Sequence, residues 1–286
     1  MHLIQLDRLF QRYAFIQSSL QPSLLEDGKS MVTPAAPHDD LVGQALRVVE
    51  EAKGQGLVLR VMGAAAVRLH CPRLVDLHRS MGREISDMDF VGYDKASSKI
   101  ERLFENLGYA SRPLTYSYRQ LGRLIFLGSG NAGRVDVFLD RLTMCHTIDF
   151  SKRLEVDYPT IPLAELLLEK MQIVKLNEKD VKDTIVLLRG HQIGQGDNET
   201  VNTEYVARLL SNDWGFYYTV KMNLGRVKSM LQEYDQMDET DKRDVAGKID
   251  QILKAIEDEP KNLSWRMRAK VGTSKKWYRD VDALGG

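Results

Sequence analysis

Residues 83–92 read REISDMDFVG, and this stretch constrains the chain more than any other. Successive side chains of a strand face opposite sides. Asp87 and Asp89 therefore share one face, and Ser86, Met88 and Phe90 share the other. The two carboxylates lie about 7 Å apart along such a strand. In water that repulsion is tolerable. In a cleft it is costly unless a cation sits between the charges, and Mg²⁺ takes carboxylate oxygens in this way. The pattern alone also describes an exposed strand face with two solvated aspartates.

The surrounding pattern supplies more strands and helices. "LVGQALRVVEEAKGQG" from Leu41 carries apolar residues at helical spacing and stops at glycines. "LVLRVMG" reads as a strand ending at Gly63, and "AAAVRLH" as the start of a helix. A glycine turn that opens a helix offers backbone N–H groups to a phosphate. "SSKIERLFENLGY" reads as an amphipathic helix with a glycine stop. "RLIFLGSG" and "GRVDVFLD" read as two strands of a hairpin, and "RLEVDYPTIP" as a further strand with an exit loop. After Pro162 helical spacing dominates, interrupted by the polar, Gly-rich loop "GHQIGQGDNETVN". The expected organisation is an N-terminal extension and linker over 1–40, an α/β unit over 41–160 and an all-helical unit over 161–286. Met31 precedes the linker-like "VTPAAPHDD".

The second of those paired strands adds a third acid. Val135 and Val137 face the core, so Asp136 faces away with Phe138 and Asp140. Three carboxylates from two strands make a ligand set for one or two Mg²⁺ ions and a nucleoside triphosphate.

In "MGA" (Met62 to Ala64), "DMDF" (Asp87 to Phe90) and "VDVF" around Asp136, the chain resembles the nucleotidyltransferase superfamily, which includes DNA polymerase β. The segment "PLAELLLEKMQIVKLNEKDVKDTIVLL" is similar to the helical region of the abortive-infection type nucleotidyltransferase toxins. Lys170, Lys179, Asp180 and Asp183 roughly match its lysine and [KR]-D-x-x-D pattern. The resemblance covers about residues 55–190. It implies a mixed α/β sheet of the nucleotidyltransferase type followed by a helical domain. It implies a magnesium-dependent transferase that binds an NTP such as ATP through two Mg²⁺ ions and moves NMP to a hydroxyl. By resemblance Asp87, Asp89 and Asp136 are catalytic metal ligands. Gly63, Ala64, Arg83, Lys170 and Asp183 are the candidate nucleotide contacts, and Asp140 is an alternative third acid. RNA or protein is favoured over a small molecule as acceptor. A degenerate nucleotide-binding regulator and a toxin–antitoxin or defence component are the rival readings. Two departures stand out: Ala64 replaces the usual serine or glycine, and "CPRLVDLHRSMGRE" lengthens the gap before Asp87.

Other residues have blander readings beside functional ones. Lys170 also reads as the solvent edge of an amphipathic helix, Arg83 as a partner of Glu84, and Asp180 with Asp183 as acids favoured by a helix N-terminus. His70, His78, His146 and His191 show no metal-ligand spacing among themselves or with Cys71 and Cys145. "MCH" at Met144 to His146 reads as packing, and so does "DWGFYY" (Asp213 to Tyr218). "SWRMRAKVGTSKKWYRD" reads either as an RNA contact or as a solvated tail anchored by tryptophans.

Lysine plus arginine equals aspartate plus glutamate, 40 each, so global charge gives no case for nucleic acid or membrane binding. Where the charges lie stays open. Two distant cysteines and no secretory pattern point to reduced thiols and a cytoplasmic protein, and no apolar run approaches a membrane span.

Overall fold

The computed structural model describes residues 37–112, 122–128 and 133–280. Most of the expected N-terminal extension, and the middle of the Gly-Ser-Gly-Asn-Ala-Gly turn, lie outside the described residues.

The chain forms a mixed α/β structure. Helix α1 (Pro37–Gly54) leads into strand β1 (Leu59–Met62), helix α2 (Gly63–His70), helix α3 (Val75–Ser80) and strand β2 (Asp87–Gly92). Helix α4 (Ser97–Asn106) and strands β3 (Ala110–Ser111), β4 (Arg123–Leu127) and β5 (Arg134–Leu139) follow. These strands make one five-stranded sheet in the order β1-β2-β5-β4-β3. The β2–β5 pair is parallel and its neighbours are antiparallel.

One face of the sheet is the apolar one that alternation predicts. Met88, Phe90, Val135, Val137 and Phe126 are fully buried on it. Helix α4 covers this face with Ile100, Leu103 and Phe104, one stripe at helical spacing. Phe104 stacks on Phe126 at 4.5 Å between ring centroids and meets Phe90 edge-on at 5.7 Å.

Strands β6 (Arg141–Thr143) and β7 (Thr147–Asp149) form a short antiparallel hairpin. Beyond it the expected strand in "RLEVDYPTIP" is absent. The segment runs as turns, and only Thr160 bridges β1, opposite Val61. Pro159 and Pro162 donate no ladder hydrogen bond, which leaves the segment unable to pair along its length.

From Pro162 onward helices dominate. Helix α5 (Leu163–Met171) is apolar on nearly every side, so it must be interior. Helices α6 (Glu178–Gly190), α7 (Thr203–Leu210), α8 (Trp214–Met230), α9 (Glu239–Asp258) and α10 (Leu263–Val271) complete the described chain. Asn177, Asn202, Asp213, Asp238 and Asn262 each cap a helix N-terminus by accepting a backbone N–H. Among the described residues, nearly all the buried apolar side chains form one cluster.

The Gly-rich "GHQIGQGDNETVN" is not only a loop. Strands β8 (Gln192–Gly194) and β9 (Thr200–Asn202) pair in parallel across it. A parallel pair requires the chain to return to its start within residues 195–199. Gly196 and Glu199, both at positive φ, make that return. The basic–aromatic tail likewise folds, with α10 inside it.

Candidate functional site

The sheet register decides which acids meet. Asp89 is opposite Asp136 across the parallel β2–β5 pair, and Asp87 is opposite Arg134. Asp87, Asp89 and Asp136 therefore share the sheet face away from the α4 side. Asp87 and Asp89 are half-buried, whereas Asp136 is 4% exposed. That second face is not open solvent as a plain alternating strand would have it. Helix α2 packs against β2, and α5 packs on α2 with Glu169 reaching Gly63.

Gly63 is pressed against this group. Its φ is +69°, a conformation that glycine adopts without steric cost. A Cβ placed there would lie 2.5 Å from Asp89 Oδ2. Only glycine lets the start of α2 come so close to the carboxylate. Ala64 follows in the first turn and is buried.

Burial pushes the Asp89 carboxyl well above the usual carboxylate range, and the charges of Asp87, Asp136 and Glu169 push it further. Lys170 opposes that rise. Glu169 is a member of the site that the sequence reading missed. Its Oε2 accepts the backbone N–H of Gly63 at 3.0 Å, so a carboxylate already sits on the amide that the glycine turn offers to an anion. A signal for it was present. Glu165 and Glu169 are the two acids of the largely apolar helix α5, and buried charges need partners. Glu165 finds its own in Arg153.

Asp136 is also held. Arg123 Nε lies 2.9 Å from its Oδ1 and Arg134 Nε 2.9 Å from its Oδ2. Both carboxylate oxygens thus meet guanidinium groups that the sequence reading did not single out. Asp140 stands apart from this group. It sits at φ +59° beyond β5, and its carboxylate accepts the Asp94 backbone N–H at 3.2 Å.

The remaining expected contacts, Arg83, Lys170 and Asp183, form a buried network beside the aspartate face. Arg68 donates to His78 Nδ1 at 2.9 Å, so His78 carries its proton on Nε2 and donates it to Asp183 Oδ1 at 2.9 Å. Arg83 grips both Asp183 oxygens, at 2.8 and 3.0 Å, a bidentate pairing. Lys170 Nζ approaches Asp183 at 3.1 Å, Glu169 at 3.3 Å and Asp180 at 3.8 Å. Arg83 thus pairs with Asp183 rather than with the Glu84 side chain, and Lys170 is no solvent edge. Burial alone would raise the Asp183 carboxyl, but Lys170, His78 and Arg83 hold it well below its usual range. Burial likewise opposes the Lys170 charge, and Glu169, Asp183 and Asp180 more than restore it. Asp180 sits less well, pushed up to about 6 by burial against the pull of Lys170.

The packing expectations hold for "MCH" and "DWGFYY". His146 is buried, stacks on Phe216 at 4.9 Å and meets Thr219 Oγ1 at 2.8 Å. Burial lowers its pKa to about 4. Trp214, Phe216 and Tyr217 are buried in the core cluster. Trp265 and Trp277 pack against that cluster.

A surface cavity of about 320 Å³ lies between α1 and the α4–β3 turn, lined by Gln44, Arg47 and Tyr109 among others. It includes none of the acids named above. Among the described residues, the ligand atoms that converge within 4.8 Å are those of His70, His191 and Glu199, not those of the aspartates. The histidines had shown no metal-ligand spacing in sequence, because the fold joins positions far apart in the chain.

No family model and no curated protein matches the sequence. The chain is similar to a solved structure described as a "tRNA-processing enzyme (apo form I)", with 16% identity and a TM-score of 0.29. The match covers 82% of this chain and 63% of that one, so the chain spans less than two thirds of that structure's length. A likeness at this level fixes neither fold nor activity.

Proposed function

We propose that the chain is a divalent-metal-dependent nucleotidyltransferase. It transfers NMP from a nucleoside triphosphate to a hydroxyl and releases pyrophosphate. The observation that carries this reading is Asp89. It is crowded by Asp87, Asp136 and Glu169, its carboxyl is raised, and it lies against the glycine that opens α2. A fold keeps such a like-charge cluster at a stability cost, which a bound cation offsets.

The oxygen donors fit a hard cation. Asp87 and Asp89 would hold Mg²⁺, with Asp136 as the third ligand, and the ion would stabilise charge on the reacting phosphate. The chain's own groups account for the rest. The Gly63 N–H is a donor for a phosphate oxygen, which takes the place of the Glu169 carboxylate there. Arg123 and Arg134, now on Asp136, suit bidentate pairing with phosphate. Their transfer to the substrate releases Asp136, which orients the acceptor hydroxyl and accepts its proton. The acceptor oxygen then bonds to the α-phosphorus as the bond to the pyrophosphate oxygen breaks. The similarity of the α5–α6 segment to the toxin-type enzymes favours RNA or a protein hydroxyl as acceptor.

A second reading is a nucleotide-binding regulator without turnover. It is favoured by the pairing of both Asp136 oxygens with arginine. Thermal unfolding with each NTP, with and without Mg²⁺, tests both readings beside Asp89→Asn. A ligand at 100 times its Kd stabilises by about 2.7 kcal/mol. The enzyme reading expects a Mg²⁺-dependent shift and transfer of label from NTP to RNA or protein, both lost in Asp89→Asn. A shift without label transfer supports the regulator. No shift with any NTP overturns both.

A further inference from the structure

A second cluster of donors lies where α2, the end of α6 and the β8–β9 connection meet. His70 closes α2, His191 follows α6, and Glu199 precedes β9. The two imidazoles are each 5% exposed and meet edge-to-face at 5.6 Å between centroids. One nitrogen from each ring and one Glu199 oxygen lie within 4.8 Å of one another.

The surrounding hydrogen bonds hold both rings in place. His70 Nε2 lies 3.3 Å from the Ile161 carbonyl and 2.7 Å from Thr160 Oγ1. The Thr160 hydroxyl both donates and accepts, so the ring can present either nitrogen as the basic one. His191 Nδ1 lies 3.1 Å from the Leu187 carbonyl, so there Nε2 is the basic nitrogen. That Nε2 is 3.7 Å from Glu199 Oε2, too far for a shared proton. An imidazole that donates its other N–H to a backbone carbonyl beside a carboxylate, as His191 does, has the supporting arrangement of a metal-binding histidine.

The β8–β9 return sets where the carboxylate points. Glu199 adopts φ +52°, which a side chain other than glycine or asparagine rarely does. Its loop is pinned by Asp197, which pairs with Arg153 at 2.6 Å and accepts from Asn202 at 3.2 Å. The strained residue is thus the one that aims a carboxylate at His191.

We propose that His70, His191 and Glu199 bind a divalent transition-metal ion, with Zn²⁺ the closest chemical match. Two imidazole nitrogens and one carboxylate select Zn²⁺ over Mg²⁺. Zn–N bonds of about 2.0–2.1 Å separate neighbouring ligand atoms by about 3.4 Å, so adjustments of about an ångström close the set. Three protein ligands leave a fourth position, and the 40% exposure of the Glu199 side chain gives it a path to solvent. The ion clamps the β8–β9 connection to α2. This site is separate from the aspartate face and does not depend on its assignment.

The test uses the full chain stripped with a chelator, then titrated with Zn²⁺ alone and with Co²⁺ as a spectroscopic probe. The expected result is one Zn²⁺ per chain, a raised thermal midpoint, and visible Co²⁺ absorption of a four-coordinate N/O site. Glu199→Gln, on the exposed edge, keeps the metal-free fold by circular dichroism. It weakens Zn²⁺ binding by about a hundredfold, the upper scale for losing even a supporting partner. Asp89→Asn leaves Zn²⁺ binding unchanged, which separates this site from the aspartate face. Zn²⁺ binding that survives Glu199→Gln, that is lost in Asp89→Asn, or that does not occur overturns the proposal. His191→Gln supplies the second ligand variant, and full Zn²⁺ affinity in a folded His191→Gln protein overturns it equally.

Discussion

Asp89 and Asp183 are carboxylates of neighbouring regions, and both lose most of their water. Asp183 meets a bidentate Arg83, the His78 N–H and the Lys170 ammonium. Its carboxyl is held well below the usual range. Asp89 meets Asp87, Asp136 and Glu169, and its carboxyl is raised. Burial acts on both in the same direction, so the neighbours decide the sign. The first environment is complete and serves the fold. In the second, Lys170 only partly offsets three acids around Asp89, and two arginines pair with Asp136 instead. A region left electrostatically incomplete inside a complete frame is where a charged ligand gains most by binding.

Four measurements break or sharpen this contrast. The largest effect belongs to Asp183→Asn. It leaves the buried Arg83 without its bidentate carboxylate and takes one of three acids from Lys170, so unfolding in denaturant should reveal a loss of about 3–5 kcal/mol. A loss below about 1 kcal/mol would mean that the network is not structural. Next comes Asp89→Asn under proposed turnover conditions. Label transfer should fall about 10²–10³-fold, on the scale of removing one preorganised electrostatic group, while the fold is retained. A variant that unfolds would make Asp89 structural like Asp183.

Gly63→Ala ranks third. It forces a side chain into φ +69° and against Asp89 Oδ2, which should cost about 1–2 kcal/mol of stability. It should also reduce transfer, and a variant with unchanged transfer would separate the glycine from the site. The smallest effect is the pH profile of Asp89→Asn stability without divalent cations. A raised carboxyl contributes stability that is fully present below its ordinary value of 3.8 and is lost as pH rises through its folded value. The variant should therefore exceed the wild type in stability at neutral pH, and the two curves should converge in acid. Asp183→Asn should behave oppositely. The lowered Asp183 carboxyl gives stability present above 3.8 and lost as pH falls, so that deficit is widest at neutral pH.

The aspartate face was legible because its information is local. Alternation places Asp87 beside Asp89, and the same rule on β5 places Asp136 away from Val135 and Val137. Gly63 was legible through the strand–turn–helix order. The network around Asp183 was not, because it joins residues about a hundred positions apart, as in Arg83–Asp183. No periodicity encodes such a pairing. Lys170 and Asp183 read in sequence as ligand contacts, and nothing local shows that the fold pairs them with one another. The β8–β9 pair escaped for a different reason. Three-residue strands among glycines carry no readable period, and Glu199 looked like one more polar loop residue.

The Val61–Thr160 bridge has a bearing on the life of the chain at high concentration. β1 is an outer strand of the sheet, and a bare outer strand is a template for another molecule. Here Val61 N–H donates to the Pro159 carbonyl at 3.0 Å, and its carbonyl accepts from Ile161 N–H at 3.0 Å. The proline-bearing segment occupies that template without extending it, since its own proline nitrogens cannot donate to the ladder. At the opposite margin, among the described residues, β3 is two residues long, a short platform for cross-molecule pairing. The sheet thus ends in a blocked margin and a stunted one, a device that keeps a β-sheet from recruiting copies of itself.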